Sequence, residues 1–266
     1  MNPSSPRIVV VVADGLRADV AAQAMGYLGA LIEGGQATSA RLRCSLPSLS
    51  RPLYASLLTG QAPVAHGIVS NQQVQACGDC LFDDARAAGQ RCAVVAYHWF
   101  FELLSGEPFQ PLLHRLAAVP GRGIEQASWY FEDHYPDSHT LADAEALRLA
   151  CAPDLLFVHP MGPDDAGHRR GGESDGYRLS ARLLDMALAR TVPVWHAAGY
   201  DVLLTSDHGM GADRMHGGTD DAERLVPFVW MPAPGPLQAR RLQWALPVQT
   251  AGLRAFLSLH RASHGA

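Results

Sequence analysis

The chain has 266 residues, 48% hydrophobic and 18% charged, which suits one large domain with a real core, or one domain plus a small cap, and excludes a disordered segment. A net charge of −5 with no basic block excludes polymeric nucleic acid as a partner and leaves a nucleotide open. No run approaches the roughly 20 apolar residues needed to cross a bilayer, so no membrane partner is expected.

Residues 8–13 are a continuous apolar run of strand length that stops at Asp14. The run is too short for a secretory leader and no small-residue cleavage site follows, so a cytoplasmic protein is the expectation. Apolar residues then recur at helical spacing over 18–32, up to Gly34 and Gly35. Cys77 and Cys80 form a CxxC, but five cysteines with no second pair point to reduced thiols rather than a zinc site or a disulfide framework. Residues 93–97 read as a buried strand leading into Tyr97, His98, Trp99, Phe100 and Phe101. Such a run is more often core than binding surface; Tyr97 and His98, nearest the strand end, are the candidates for a substrate pocket. Residues 107–139, rich in Pro, Gly, His and aromatics, are the least regular stretch. They are expected as a small cap or loop insertion within one domain spanning 1–266, with Trp129, Tyr130 and Phe131 as weaker pocket candidates. A helix follows over 141–150, a strand over 155–159, and a long amphipathic helix over 177–198 with a break expected at Pro193. Strands at 201–205 and 226–230 and a closing helix over 248–259 complete the chain, with a frayed tail around Ser263, His264 and Gly265. Strands apolar on both faces, alternating with helices, define an α/β fold: a central, mostly parallel sheet with helices on both faces.

Three apolar runs lead into acids: Asp14, then Asp164 through His159, and Asp207. In an open parallel sheet ligands bind beyond the carboxyl ends of the strands. An Asp there is ordinarily a turn former or helix cap. The company these acids keep argues otherwise. His168 follows Asp164 by four residues, close to one helical turn; His208 follows Asp207 directly, and His216 precedes a glycine pair. Carboxylate oxygen and imidazole nitrogen are zinc ligands. His66, His114, His134, His139 and His260 have no such company and are read as structural. Ser50 stands two residues before Pro52 at a helix start, where free N–H groups and the positive dipole end favour a phosphate. Ser48 competes with it, both as nucleophile and as helix cap.

Together these segments resemble the alkaline phosphatase superfamily, most closely its nucleotide pyrophosphatase/phosphodiesterase branch. The resemblance rests on Ala13 to Arg17, on Ser50, Pro52, Ser56, Leu57, Thr59 and Gly60 with Pro63, His66 to Ile68 and Asn71, on Pro163 to His168, and on Ser206 to Met210 with His216 and Gly217. These motifs come in family order and span most of the chain. The resemblance implies Ser50, ten residues before Gly60, as nucleophile. It implies two divalent cations, zinc first and manganese second, one held by Asp164, His168 and His216, the other by Asp14, Asp207, His208 and the Ser50 oxygen. It also implies a phosphoryl-binding Asn three residues after the nucleophile. Leu53 holds that position, which leaves Arg17, Arg51, Arg169 and Tyr97 as candidates for the contact. Sulfatases of the superfamily carry Cys at the nucleophile and Arg four residues later; Ser50 and Tyr54 stand there instead.

The implied reaction is hydrolysis of a small phosphoester, with in-line attack by Ser50 and a phosphoseryl intermediate. A phosphonate hydrolase, a phosphate transferase or a phosphomonoesterase would use the same site. No ligand position is lost, which weighs against an inactive metal-binding homologue. A homodimer is compatible with this reading.

Overall fold

The β-branched side chains of Val9 to Val12 favour extended backbone. In the computed structural model, which describes residues 6–235, 243, 246–247 and 249–263, they form the central strand β1 (Arg7–Val12). Six more strands follow: β2 (Thr38–Arg43), β3 (Cys92–Tyr97), β4 (Ile124–Tyr130), β5 (Leu155–Val158), β6 (Tyr200–Thr205) and β7 (Leu225–Met231). Their order across the sheet is β2-β7-β6-β1-β5-β3-β4. Only β7 runs against its neighbours; the other adjacent pairs are parallel.

Side chains alternate across a strand, and β1 feeds two separate cores. Ile8, Val10 and Val12 enter one, Val9, Val11 and Ala13 the other. The helices are α1 (Ala18–Ala24), α2 (Gly26–Glu33), α3 (Ser50–Thr59), α4 (Pro63–His66), α5 (Leu81–Ala87), α6 (His98–Ser105), α7 (Pro111–His114), α8 (Asp137–Cys151), α9 (Gly162–Arg170), α10 (Asp175–Ala197), α11 (Asp221–Arg224) and α12 (Leu253–Ala262). The first core is closed by α3, α5, α6 and α12. The second is closed by α1, α2, α8 and α10. The sheet is thus covered on both faces, as its apolar strands require.

Several elements differ from expectation. The helical stretch 18–32 divides at Met25 into α1 and α2. Pro193 does not break α10. A proline inside a helix costs about 3 kcal/mol, while Leu184, Leu188, Val192 and Trp195 keep one buried face through it, each large apolar side chain contributing about 1.5–3 kcal/mol. The irregular stretch 107–139 supplies β4, which pairs with β3 as the outer strand of the sheet. Edge strand β2 was not expected either; its exposed and buried residues alternate with Arg41 and Arg43 on the open side. The closing helix starts at Leu253 after a 3-10 turn over Thr250–Gly252; Val248, His264 and Gly265 lie outside the described residues. All five cysteines are free thiols. No described helix is long and apolar enough to cross a membrane.

Candidate active site and metal centre

The sheet order makes β6, β1 and β5 consecutive neighbours, about 4.8 Å apart strand to strand. Their carboxyl ends therefore bring Asp207, Asp14 and the start of α9, with Asp164 in its first turn, to one edge. The chain beyond β1 stays pinned to both sides: the Ala13 N–H donates to Thr205 O (2.8 Å) and the Asp14 N–H to Pro160 O (2.9 Å). Two glycines make the convergence sterically possible. Gly15 has φ +68°, and a Cβ there would stand 2.8 Å from Asp164 Cα. At Gly209 a Cβ would meet the Ala222 carbonyl oxygen at 2.0 Å, which explains the glycine that follows Asp207 and His208.

Two sets of ligand atoms, each within 4.8 Å of one another, result: Asp164 with His208 and His216, and Asp14 with Asp207 and His208. His208 reaches both sets. Its Nε2 lies 3.3 Å from Asp14 Oδ1 and 3.2 Å from Asp207 Oδ2. His216 Nε2 lies 3.8 Å from Asp164 Oδ1. His168, half-exposed, stands at the rim with its Nε2 3.5 Å from the same oxygen. The three imidazoles share one arrangement: Nδ1 faces a main-chain carbonyl, Gly209 O for His208 (2.8 Å), Ser48 O for His216 (2.7 Å) and Arg214 O for His168 (2.9 Å). A carbonyl only accepts, so Nδ1 carries the proton and Nε2 offers its lone pair, the tautomer of a metal-bound histidine.

The electrostatics agree with a cation site. Asp14 Oδ1, Asp164 Oδ1 and Asp207 Oδ2 are buried and have no hydrogen-bond partner, a costly state for carboxylates unless a cation faces them. Burial, with the nearby Asp14 charge, pushes the Asp164 and Asp207 carboxyls well above the usual range. Burial also pushes His208 down to about 3 and lowers His216. Burial opposes ionisation of Asp14 as well, but its contacts with the His159 and His208 imidazoles and with the Tyr54 hydroxyl hold it below its usual value. Hard oxygen and neutral imidazole donors of this kind suit zinc or a similar divalent ion.

Ser50 opens α3, is 4% exposed, and sets its Oγ 3.0 Å from His208 Nε2. The Ser48 hydroxyl is committed elsewhere: it donates to Gly218 O (2.8 Å) and accepts from the Gly217 N–H (3.1 Å), holding the loop that carries His216. The substrate candidates divide. The Arg17 guanidinium is taken up by Asp19, Glu173 and Gly172 O. That of Arg51 pairs with Glu102 (2.6 Å), donates to Asn71 O (2.7 Å) and stands over Trp99. Arg169 pairs with Asp165 at the surface. Leu53 is wholly buried. In place of an Asn at that position, Asn71 comes to the first turn of α3, its Oδ1 accepting the Arg51 N–H (3.0 Å). Tyr97 donates to Asp133 (2.8 Å), and His98 packs between Tyr97 and Phe109.

Sequence reasoning gave no site role to two residues behind Asp14. The Tyr54 hydroxyl, one helical turn after Ser50, donates to Asp14 Oδ2. His159 Nε2 lies 3.2 Å from the same oxygen, while its Nδ1 faces the Tyr130 hydroxyl (3.0 Å). The signal for Tyr54 was its spacing of four from Ser50; for His159, its place directly after an apolar run.

Comparison with known proteins bears on the same residues. The chain is 26% identical over 257 residues to human GPI ethanolamine phosphate transferase 1, an alignment covering 86% of this chain and 26% of that protein. It spans about a quarter of the length of the curated relatives it matches. Among solved structures, the zinc complex of the C-terminal periplasmic domain of Escherichia coli EptC superposes with a TM-score of 0.67 at 14% identity, covering 97% of this chain and 83% of that one. Phosphonoacetate hydrolase of Sinorhizobium meliloti gives a TM-score of 0.57 at 19% identity, covering 77% and 56%. Murine ectonucleotide pyrophosphatase/phosphodiesterase 5 gives 0.59 at 17%, covering 77% and 57%. The family profile of type I phosphodiesterase/nucleotide pyrophosphatase matches residues 8–242, nearly the whole sheet and every residue of the site. This chain belongs to the type I phosphodiesterase/nucleotide pyrophosphatase family, within the alkaline phosphatase superfamily.

Proposed function

We propose that the chain is a metal-dependent enzyme of phosphoester chemistry, first of all a phosphodiester hydrolase, with Ser50 as nucleophile. The observation that carries this reading is the Ser50 hydroxyl 3.0 Å from His208 Nε2, beside three buried carboxylate oxygens that lack any hydrogen-bond partner. Two divalent cations would be held by Asp164, His168 and His216, and by Asp14, Asp207 and His208 with the Ser50 oxygen. When bound, they supply charge neutralisation for the phosphoryl oxygens and lower the pKa of the attacking hydroxyl. With its proton released to water, Ser50 Oγ forms a bond to phosphorus while the bond to the leaving oxygen breaks, that oxygen taking up a proton from water, giving a phosphoseryl enzyme. Water then attacks phosphorus, and the phosphorus–Ser50 oxygen bond breaks. At the start of α3 the Arg51 N–H is taken by Asn71 Oδ1 and the Leu53 N–H by Leu49 O, so the Ser50 N–H and the positive dipole end of the helix are what it offers the phosphoryl oxygens. Asn71, beside that first turn, takes the role that Leu53 cannot fill. Tyr54 and His159 hold Asp14 in one orientation.

A second reading keeps the first half-reaction and changes the acceptor. Relatives matched over most of this chain are ethanolamine phosphate transferases, which favours discharge of the phosphoseryl group onto an alcohol. A phosphonate substrate is the third, after the phosphonoacetate hydrolase neighbour. The test is turnover of an aryl phosphodiester, an aryl phosphomonoester and phosphonoacetate by protein supplied with zinc or manganese. Each is run with and without an added alcohol. Hydrolysis abolished by chelator is expected; an alkyl phosphate product would select transfer. No turnover of any of the three with either metal would sink the reading.

A further inference from the structure

A charged pair is buried between α3 and α6. Arg51, the residue after Ser50, is 2% exposed and Glu102 6%. Glu102 Oε2 lies 2.6 Å from Arg51 Nη2, and its other oxygen accepts the Phe109 N–H (3.0 Å). Arg51 Nε donates to Asn71 O (2.7 Å), and the Arg51 main-chain N–H donates to Asn71 Oδ1 (3.0 Å). The Trp99 ring covers the guanidinium face at 4.7 Å. Two in-plane hydrogen bonds and one ring leave the planar guanidinium a single orientation. Asn71 is thus gripped at its main-chain carbonyl and at its side-chain oxygen by the same residue. Stability does not account for the charged pair. Two buried charges pay a desolvation cost that an apolar pair avoids, and Arg51 Nη1 is buried with no hydrogen-bond partner, a further cost. The two helices already meet through Tyr54 stacked on Phe100 and through Leu57 and Leu103 in one core.

We propose that Glu102 is a positioning residue of the phosphoryl site: through Arg51 it fixes the carboxamide of Asn71. This rests on the phosphoester reading and deepens it by naming what sets the Asn71 contact. A carboxamide has one accepting end and one donating end. With Oδ1 held by the Arg51 N–H, the NH2 group is the end left over, and among the described residues it has no acceptor. A phosphoryl oxygen only accepts, so this is the orientation it requires. Turned over, Asn71 would set its own oxygen against the phosphoryl oxygen and repel it. Asn71 lies in the loop beyond α4, and the Arg51 side chain ties the main chain of that loop to α3. Glu102 keeps the guanidinium in place for this. Without it the buried cation would lack its counter-charge and turn toward solvent, releasing Asn71 O.

The test is a double-mutant cycle on Glu102→Gln and Asn71→Ala. It uses the full chain supplied with zinc and bis(4-nitrophenyl) phosphate as substrate. A carboxamide at position 102 has one accepting oxygen for the Phe109 N–H and Arg51 together, so it cannot serve both. Asn71→Ala is expected to lower kcat/KM about a hundredfold, the scale of removing one preorganised donor, and Glu102→Gln about tenfold, a partial loss of the same contact. In the Asn71→Ala background Glu102→Gln should then have no further effect, with zinc content unchanged throughout. Calorimetric binding of inorganic phosphate to the same four zinc-loaded proteins gives a second readout, expected to show the same non-additivity. The paired substitution Arg51→Met with Glu102→Leu removes both charges while keeping the space filled. It should melt at or above the wild-type temperature and still bind phosphate as weakly as Glu102→Gln, and it carries the test if Glu102→Gln does not fold. An effect of Glu102→Gln that persists in Asn71→Ala overturns the proposal, as does wild-type phosphate affinity in the paired variant, or no phosphate binding by wild type. Non-additive loss of phosphate binding, without turnover of the ester, would uphold the positioning role and sink the proposed reaction.

Discussion

Removing the Tyr54 hydroxyl isolates one hydrogen bond behind the metal centre. The ring is wholly buried, stacks on Phe100 at 4.3 Å and 20°, and meets His159 edge-on at 5.0 Å. Tyr54→Phe keeps those contacts and deletes only the donor to Asp14 Oδ2. Hydrogen bonds to charged groups contribute about 1.5–3 kcal/mol. His159 still stands 3.2 Å from the same oxygen, so the lower part of that range applies, about 2 kcal/mol. In a domain of this size 1 kcal/mol moves the midpoint by about 2–4 °C, so a fall of about 4–8 °C is expected. The assay is thermal melting in chelator, then again with zinc. Zinc should also bind about 10–100-fold more weakly, because Asp14 loses part of what orients it. A variant that melts within about 1 °C of wild type in chelator and binds zinc equally would refute the role of this hydroxyl. Lower stability with unchanged zinc affinity would make the hydroxyl a structural hydrogen-bond donor with no part in metal binding.

Three further outcomes follow from the same geometry. Ser50→Ala should keep wild-type melting and zinc content while losing turnover about a thousandfold or more, the scale on which removal of a covalent nucleophile acts; turnover within tenfold of wild type would exclude Ser50 as the attacking group. Gly209→Ala places a Cβ 2.0 Å from the Ala222 oxygen, so the backbone that presents His208 must move; loss of zinc binding and a destabilisation of about 1–3 kcal/mol are expected in calorimetry and melting. Asp164 and Asp207, raised by burial, bind protons more tightly folded than unfolded. Their contribution is therefore full below the unfolded carboxylate value of 3.8 and is lost as pH rises through the folded values. Zinc must displace those protons, so its binding near neutral pH should release protons, seen as a dependence of the apparent enthalpy on buffer ionisation; no release would mean that both carboxyls are already ionised.

Much of the site is written locally in the chain. Asp14 and Asp207 are legible because an apolar strand stops within two residues of each, and Asp164 and His168 because one helical turn separates them. What the sequence order conceals is which strand lies beside which. β1 pairs with β5 on one side and β6 on the other, crossovers far longer than any local pattern. Only this arrangement lets His208 reach both ligand sets, where the resemblance implied one, and leaves His168 at the rim. Tyr54 was hidden for a related reason: an aromatic on a helix with every residue buried reads as packing, and only its hydroxyl turns toward Asp14. The outer strands escaped because an edge strand need not be apolar on both faces. β2 sets exposed Arg41 and Arg43 on either side of the buried Leu42, and β4 exposes Glu125 and Gln126 directly after Ile124, so neither carries the continuous apolar run that marks the interior strands. β4 matters beyond the fold. Tyr130 at its end reaches His159, so the stretch with the weakest strand signal supplies the support behind Asp14. Loop-like composition is what an edge strand shows when one stretch of it, here Glu125 and Gln126, faces solvent while its far end, Ala127 to Tyr130, still enters the core.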